Sequence, residues 1–437
     1  MIARNTLLCG SALDANPVPV LPCAPFVSFP GFHNGVNARL GLSEEHFTTH
    51  CLLAGATGAG KTNALKFMLA QLISHMTVND SMLVFDSKLD FTSNHRVGDM
   101  VISNCSPTEH VWNIFMDVVA DGWEEKPVAL NADEISEVIF SDAVRAGSQP
   151  FFPKAARDIF SAVVQAMTRL GAGDSQYRRE FLNNRALREY LSMLDAKRLC
   201  EFLGRFAGLS GVLKYVGNGQ SDQALGVFAE LQSVINRVLS RNYGEDGRFS
   251  MRKAVQDRKG RIVFIEYDPS CGKSLQPVYQ VLVDLYLKEA LSPRRGGTGR
   301  VYVVCDELKM LPHLNHFENA LNFGRSLGVS VIAGIQSMEQ LYEVYGEHGG
   351  KNIAAAFQTV FCFRTNDGAT REYIQGIFGK NCSVLQYLTP SGKTAEEKIT
   401  GNCVEDWDFA ELKRGEAIVG IPYEKPFKFQ FNQYSRR

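Results

Sequence analysis

Short apolar runs alternate along the chain with segments in which apolar residues recur at helical spacing. The runs comprise residues 51–54, 81–86, 100–102, 261–265, 301–305, 329–333, 360–363 and 417–419. Helical spacing is clear after residue 60, where Leu65, Met68, Leu69 and Leu72 fall on one face. Strands that are apolar along their whole length are typical of parallel sheets covered by helices on both faces. The pattern therefore predicts an α/β fold with a mainly parallel sheet.

The first apolar run leads directly into a match to the P-loop pattern G-x-x-x-x-G-K-[ST], and a helical segment follows it. The matching residues are Gly55, Ala56, Thr57, Gly58, Ala59, Gly60, Lys61 and Thr62. Glycines let backbone N–H groups turn towards phosphate oxygens, and the helix adds its positive end. We expect Lys61 to reach the β- and γ-phosphates and the Thr62 hydroxyl to ligate Mg²⁺. The chain is predicted to bind a nucleoside triphosphate.

The alternation of strands and helices is interrupted in the middle of the chain. No convincing strand pattern occurs in residues 151–241, and residues 155–170 carry a strong helical period. We predict an all-α insertion domain at 151–241 and a P-loop nucleotide-binding domain formed by 41–150 and 242–437. Residues 1–40 contain several prolines and are predicted to be an irregular lead-in.

A second predicted strand ends in two acidic residues of the kind that complete a P-loop site. Asp306 and Glu307 follow the apolar run 301–305, which is the Walker B arrangement. Asp306 is expected to bind Mg²⁺, and Glu307 is expected to polarise the water that attacks the γ-phosphate. Two acids after an apolar run are also compatible with an ordinary charged strand end, and the upstream P-loop favours the catalytic interpretation.

Two further polar residues flank the next predicted strand. Gln336 follows it, where an amide can bond phosphate or water and act as a sensor of hydrolysis; the alternative is a glutamine that only caps a turn. Arg325 precedes the same strand, so its side chain is not expected to reach its own P-loop. It suits an arginine finger that serves the nucleotide of a neighbouring subunit, although a plain surface arginine fits the same spacing.

Composition narrows the functional classes. Hydrophobic residues make up 45% and charged residues 21% of the 437 residues, which indicates a globular chain. The formal net charge of −1 means that any nucleic-acid contact has to come from a local basic patch. The ten cysteines include no C-x-x-C pair, which argues against a zinc site and for a reducing compartment. No apolar run approaches the ~20 residues that span a bilayer, so the chain is expected to be cytoplasmic.

The region from 303 to 346 resembles the motor of type IV coupling proteins, the TraD/TrwB-like ATPases of conjugation within the FtsK–HerA superfamily. The segments that carry the resemblance are Asp306-Glu307-Leu308, Gly324-Arg325-x-x-Gly328, Gly334-Ile335-Gln336-Ser337 and Gln340-Leu341-x-x-Val344-Tyr345-Gly346. Residues 84–88 and 112–115 also agree, and residues 151–241 lie where this family carries its all-α domain. The resemblance extends over nearly all of the chain after about residue 40.

The resemblance implies a RecA-like fold and a hexameric ring that hydrolyses ATP with Mg²⁺ and drives DNA through its channel without sequence preference. It also implies relaxase or relaxosome proteins and a secretion channel as partners. Position by position, it assigns Lys61 and Thr62 to the Walker A motif and Asp306 and Glu307 to the Walker B motif. It assigns Gln336 as the sensor of hydrolysis and Arg325 as the arginine finger that acts in trans. Asp86 and Lys88 match a recurrent Asp-x-Lys whose role stays open.

Family members usually begin with a transmembrane anchor, which this sequence does not display. A separate membrane protein that recruits the chain to the inner membrane is one explanation, a soluble relative is another, and an anchor that lies outside this sequence is a third. Two alternative functions stay open: an ATP-dependent recruitment platform for secreted proteins, and a HerA-like DNA translocase in repair or defence. The role of Arg364, at the end of a predicted strand, also stays open, with nucleotide contact and a salt-bridged strand end as the alternatives.

Overall fold

The computed structural model describes residues 2–14, 24–104, 106–146, 149–270, 272–292 and 299–435. These residues form an eleven-stranded sheet, a separate three-stranded sheet, and helices that cover the large sheet. Alternate residues of the central strands enter two different hydrophobic clusters. In β4 (Cys51–Ala54), for example, Leu52 and Ala54 face one cluster and Cys51 and Leu53 face the other. The large sheet is therefore buried on both faces.

The remaining strands are β1 (Ile2–Cys9), β2 (Val27–His33), β3 (Val36–Leu42), β5 (Ser81–Asp86), β6 (Met100–Ser103), β7 (Arg261–Glu266), β8 (Val301–Cys305), β9 (Val329–Ile335), β10 (Thr359–Phe363), β11 (Lys380–Leu388), β12 (Thr394–Asn402), β13 (Glu416–Gly420) and β14 (Phe427–Phe431). The helices are α1 (Glu44–Thr48), α2 (Lys61–His75), α3 (Ile114–Val118), α4 (Glu125–Ala146), α5 (Phe151–Gly173), α6 (Ser175–Phe181), α7 (Asn184–Ser192), α8 (Ala196–Leu203), α9 (Asp222–Val238), α10 (Met251–Asp257), α11 (Gly272–Ala290), α12 (Phe317–Phe323), α13 (Met338–Ala355), α14 (Gly368–Phe378) and α15 (Asp406–Glu411). Short 3₁₀ turns lie at Thr92–Asn94, Ser210–Tyr215, Arg241–Gly244, Leu308–Met310 and Gly324–Leu327.

The large sheet has the order β3-β2-β14-β13-β10-β4-β9-β8-β5-β7-β6. Its seven strands from β10 to β6 are parallel, and the other four extend it with antiparallel pairings. Every predicted strand coincides with a strand of this sheet. The prediction of an α/β fold with a mainly parallel sheet is confirmed.

The prediction that residues 1–40 form an irregular lead-in is wrong for the part that the structure describes. β2 and β3 form a hairpin in register from Val27 opposite Leu42 to His33 opposite Val36, and the hairpin joins the large sheet through β14. β1 pairs with β11 in the small sheet. Burial alternates strictly along β2, whose odd-numbered residues are buried while the others are half-buried or exposed. In the sequence only Val27-Ser28-Phe29 alternates in polarity, and Gly31-Phe32-His33 does not.

Helices occupy the segment between β6 and β7, and no strand lies among its described residues. α4 packs along α5, and α5 packs against α9. The helices extend beyond the predicted 151–241, because they begin with α3 and end with α10. The division of the chain into these domains stays a prediction. Among the described residues, every helix is too short or too polar to cross a membrane.

Candidate functional site

The candidate site lies where the central parallel strands end. Neighbouring strands in the order β10, β4, β9, β8 and β5 point the same way, so their carboxyl ends form one row. These ends lead in turn to Arg364, to the P-loop, to Gln336, to Asp306 with Glu307, and to Asp86 with Lys88. Adjacent strands are about 4.8 Å apart. The topology therefore brings together groups that are separated by as many as 309 residues in sequence, from Gly55 to Arg364.

The P-loop, defined as residues 55–60, connects β4 to the first residue of α2. Gly55 and Gly60 have φ values of 149° and 128°, a region that favours glycine. A β-carbon at Gly55 would lie 2.7 Å from Cβ of Phe363, and one at Gly60 would lie 2.8 Å from Cα of Gly415. Neighbouring atoms thus come too close to Gly55 and Gly60 for a larger residue at either position. The first N–H groups of α2 face the loop, which suits an anion.

Lys61 lies at the start of α2 and is 7% exposed. Its Nζ donates to the P-loop carbonyls of Gly55 at 2.5 Å and Ala56 at 3.2 Å. Burial lowers the pKa of Lys61 to about 8, with a smaller lowering by Lys88, and the charges of Glu307 and Asp306 oppose this shift. The ammonium group is therefore held above the loop by carbonyl oxygens that phosphate oxygens could replace.

Asp306 and Glu307 are 3% and 1% exposed, directly after β8. Oδ1 of Asp306 accepts the backbone N–H of Ser87 at 3.1 Å. Burial raises the pKa of Asp306 to about 6, against the lowering effect of its hydrogen bond with the Ser87 backbone. Oδ2 of Asp306 and Oε1 of Glu307 are buried and accept no hydrogen bond from any described residue. Two buried carboxylate oxygens without donors suit a hard cation such as Mg²⁺.

Gln336, immediately after β9, connects the P-loop to the Walker B acids. Its Oε1 accepts the Thr57 hydroxyl at 3.1 Å, and its Nε2 donates to Oε2 of Glu307 at 2.5 Å. Glu307 fixes which end of the amide faces it, because only the NH₂ end can donate to a carboxylate, and the Thr57 hydroxyl donates to the oxygen that remains. Hydrogen bonds thus connect the P-loop through Gln336 to Glu307.

The two charged residues of the Asp-x-Lys segment after β5 lie in different environments. Asp86 is fully buried and accepts the backbone N–H groups of Lys88, Asp90 and Phe91 at 3.3, 2.9 and 2.9 Å. Asp86 therefore shapes the loop that follows β5. Lys88 is exposed, and its charge acts on both Lys61 and Asp306, which places this cation beside the candidate phosphate site.

The two arginines of the sequence analysis lie at opposite edges of the sheet. The carbonyl of Arg364 accepts the N–H of Ala56 at 2.9 Å, so its backbone supports the P-loop while its side chain is exposed. Arg325 lies in the turn before β9, at the amino-terminal edge, and is 56% exposed, 3.8 Å from Glu45. The seven residues of β9 separate Arg325 from Gln336 by about 20 Å. Arg325 does not reach its own P-loop.

Sequence reasoning missed several contacts that complete the site. Ser87 donates to Asp306, and Phe363 closes the space beside Gly55. Thr57, predicted only as part of the P-loop, also donates to Gln336. Gly415, from a segment near the C-terminus, donates its N–H to the carbonyl of Ala59 at 2.8 Å. Ser87 and Thr57 lie inside motifs that the sequence displays, whereas no pattern links Phe363 or Gly415 to the P-loop.

The parallel sheet, the glycine-lined loop before α2 and the acids after β8 define this chain as a RecA-like P-loop protein. The chain matches the family model described as "Type IV secretion-system coupling protein DNA-binding domain" over residues 36–397. The chain belongs to this family, which confirms the resemblance found in the sequence.

Individual relatives agree with the family. "Coupling protein TraD" of Escherichia coli (strain K12) is 28% identical over 130 residues, which are 30% of this chain and 18% of the length of TraD. The chain is similar to the bacterial conjugative coupling protein TrwBdeltaN70, with TM-score 0.73 and 20% identity, covering 99% of this chain and 94% of that one.

Two further solved structures have the same fold. Plasmid coupling protein TrwB in complex with ADP and Mg²⁺ has TM-score 0.71 at 19% identity, covering 100% of this chain and 95% of that one. VirB4 of Thermoanaerobacter pseudethanolicus has TM-score 0.55 at 14% identity, covering 95% and 98%. At such identities these likenesses establish the architecture.

Proposed function

We propose that this chain is an ATP-hydrolysing motor of the coupling-protein type that assembles into a hexameric ring and moves DNA, or a relaxase–DNA substrate, towards a secretion channel. The observation that carries the proposal is the hydrogen-bond chain from Thr57 through Gln336 to Glu307, beside the Lys61 ammonium. A site that only bound nucleotide would not need a buried carboxylate linked to the P-loop through an amide.

The residues take the following roles in hydrolysis. Lys61 and the P-loop N–H groups hold the β- and γ-phosphates of ATP, and Thr62 with Asp306 would hold Mg²⁺. Mg²⁺ would neutralise charge on the phosphate oxygens. Glu307 accepts the proton of the attacking water at Oε1, which has no donor among the described residues. The ADP and Mg²⁺ bound to TrwB support this choice of ligands.

Arg325 acts in trans. Its exposed guanidinium lies at the sheet edge opposite its own P-loop and is paired only loosely, with Glu45 at 3.8 Å among the described residues. A neighbouring subunit in a ring can therefore receive it beside the γ-phosphate, where a guanidinium offsets charge in the transition state. Hydrolysis then depends on assembly.

The family supplies the remaining parts of the proposal. DNA is bound without sequence preference, mostly through phosphate contacts. Relaxase or relaxosome proteins deliver the substrate, and a separate membrane protein or the secretion channel holds the ring at the cytoplasmic side of the inner membrane.

The test is ATP hydrolysis measured against protein concentration, with and without single- and double-stranded DNA. We expect the rate per subunit to rise with concentration and with DNA. Lys61→Ala and Arg325→Ala should each lose at least about a hundredfold, and mixing the two variants should restore part of the activity. Lys351→Ala is the matched control, because Lys351 is 57% exposed and paired only with Glu347 among the described residues.

Other outcomes point to other functions. Slow turnover that ignores DNA would favour an ATP-dependent recruitment platform for secreted proteins. Strong DNA-stimulated hydrolysis without affinity for any relaxase would favour a HerA-like translocase in repair or defence. Full activity of Arg325→Ala at every concentration would refute the trans arrangement.

A further inference from the structure

A cleft of about 460 Å³ opens in the helical region, away from the P-loop site. Its floor is apolar and includes Phe115 and Met116, and its wall includes Trp123. Its rim carries Arg178 and Arg179 of α6, Arg248, and Lys253 of α10. Four cations and one carboxylate, that of Asp246, line the cleft. The local charge is therefore positive in a chain whose formal net charge is −1.

The four cations of this rim, unlike other arginines nearby, form no ion pair with a described carboxylate. Arg185 pairs with Glu245, Arg169 with Glu125, and the buried Arg252 with Asp121 and Glu289. Within the part of the chain that the structure describes, no carboxylate lies within ion-pair distance of the four rim cations. Unpaired cations that converge on one cleft produce a field that attracts anions.

Trp123 and Arg178 form a fixed platform at this rim. The Arg178 guanidinium carbon lies 4.1 Å from the centre of the Trp123 ring, which is cation–π contact. Its Nε and Nη2 donate to the carbonyls of Gly171 and Ala172 at 2.9 and 3.3 Å. The guanidinium is thus held by the end of α5. Trp112, by contrast, is fully buried and donates to Asp117, so it has no exposed face.

We propose that this cleft binds single-stranded DNA: an unpaired base stacks on the Trp123–Arg178 platform, and flanking phosphates pair with Arg179, Arg248 and Lys253. Bases stack on aromatic and guanidinium planes, and a basic groove follows the backbone in sites that bind single strands without sequence preference. A paired base inside a duplex is stacked on its neighbours and offers no free face to this platform. The inference rests on the proposed function, because it names a place where the DNA contacts the ring.

The test uses fluorescence anisotropy of a labelled oligothymidine, with the same sequence annealed to its complement as the duplex probe. We expect the single strand to bind more tightly. Arg178→Lys keeps the charge but removes the planar group and its fixed hydrogen bonds, so single-strand affinity should fall about tenfold with an unchanged salt slope. Arg179→Ala combined with Lys253→Ala should reduce the slope of log K against log salt by about 1.4.

Arg39→Ala is the control, because Arg39 is an exposed cation on β3 outside this cleft, and it should bind like the unmodified chain. Thermal unfolding of each variant checks that the fold is retained. Single-strand affinity and salt slope that stay unchanged in the rim variants would overturn the inference while leaving the proposed motor intact. Equal losses for single strand and duplex in Arg178→Lys would overturn the stacking. If the unmodified chain binds no oligonucleotide, both the inference and the DNA-moving function are wrong.

Discussion

Replacing Thr57 by valine tests whether the P-loop controls the position of the proposed general base. Valine has nearly the same shape as threonine but no hydroxyl, so Oε1 of Gln336 loses the donor that lies 3.1 Å away. Nε2 keeps facing Glu307, at 2.5 Å in the structure, because only the NH₂ end of the amide can donate to a carboxylate. The amide is then held at one end instead of two, so the carboxylate that accepts the proton of water is positioned less firmly.

The magnitude follows from the one hydrogen bond that is lost. A neutral hydrogen bond contributes about 1 kcal/mol. Thr57 is exposed, so water replaces part of this contribution. We expect the barrier to rise by about 0.5–1 kcal/mol, which is a loss of kcat of about two- to fivefold.

Steady-state ATP hydrolysis supplies kcat, and titration with a fluorescent ATP analogue supplies the nucleotide Kd. The loss should appear in kcat with little change in Kd, because Thr57 bonds a side chain that acts in the chemical step. Thr57→Ser keeps the hydroxyl and should retain most of the activity. Unchanged kcat in Thr57→Val, or an equal loss in Thr57→Ser, would refute the reasoning.

Two further predictions concern pH and stability. Burial lowers the pKa of Lys61 to about 8, so Lys61 loses its proton above that pH. Burial raises the pKa of Asp306 to about 6, so Asp306 gains a proton below that pH. Nucleotide affinity in Mg²⁺, measured as Kd between about pH 5 and about pH 9, should therefore fall on both sides of this window, and a flat profile would contradict the assignment. Asp117 is fully buried and accepts hydrogen bonds from Trp112, Ser250 and the backbone of Arg252 at 2.8, 2.6 and 2.9 Å. Asp117→Ala leaves these donors unsatisfied and should lower the free energy of unfolding in urea by about 3 kcal/mol. Asp117→Asn should lower it by less. Equal urea midpoints for the unmodified chain and both variants would count against this network.

Much of the candidate site was predictable because each motif is local. The P-loop pattern and the acids after an apolar run specify strand ends, and parallel strand ends meet at one edge of a sheet. Lys61, Asp306 and Gln336 could therefore be placed together from sequence. The hydrogen bonds that hold the Gln336 amide could not, because their partners Thr57 and Glu307 follow two other strands.

The N-terminal region shows where pattern reading failed. Prolines in residues 1–40 favour an irregular segment, and the alternation of burial in β2 is not matched by the polarity of Gly31, Phe32 and His33. The pairing of β1 with β11 spans more than 370 residues, and short-range periodicity carries no information about such a partner. The extension of helices beyond 151–241 was missed for a related reason, since α4 becomes part of the helical layer by packing on α5.

The sequence by itself determined the class of this protein, because apolar runs, glycine positions and acids at strand ends follow from local chemistry. Only the tertiary structure decided which groups meet. It brought Gly415 against the P-loop, and it separated a buried Trp112 from a Trp123 that lines a basic cleft. Strand order and helix packing set these distances, and both arise from burial of the whole chain rather than from any single segment.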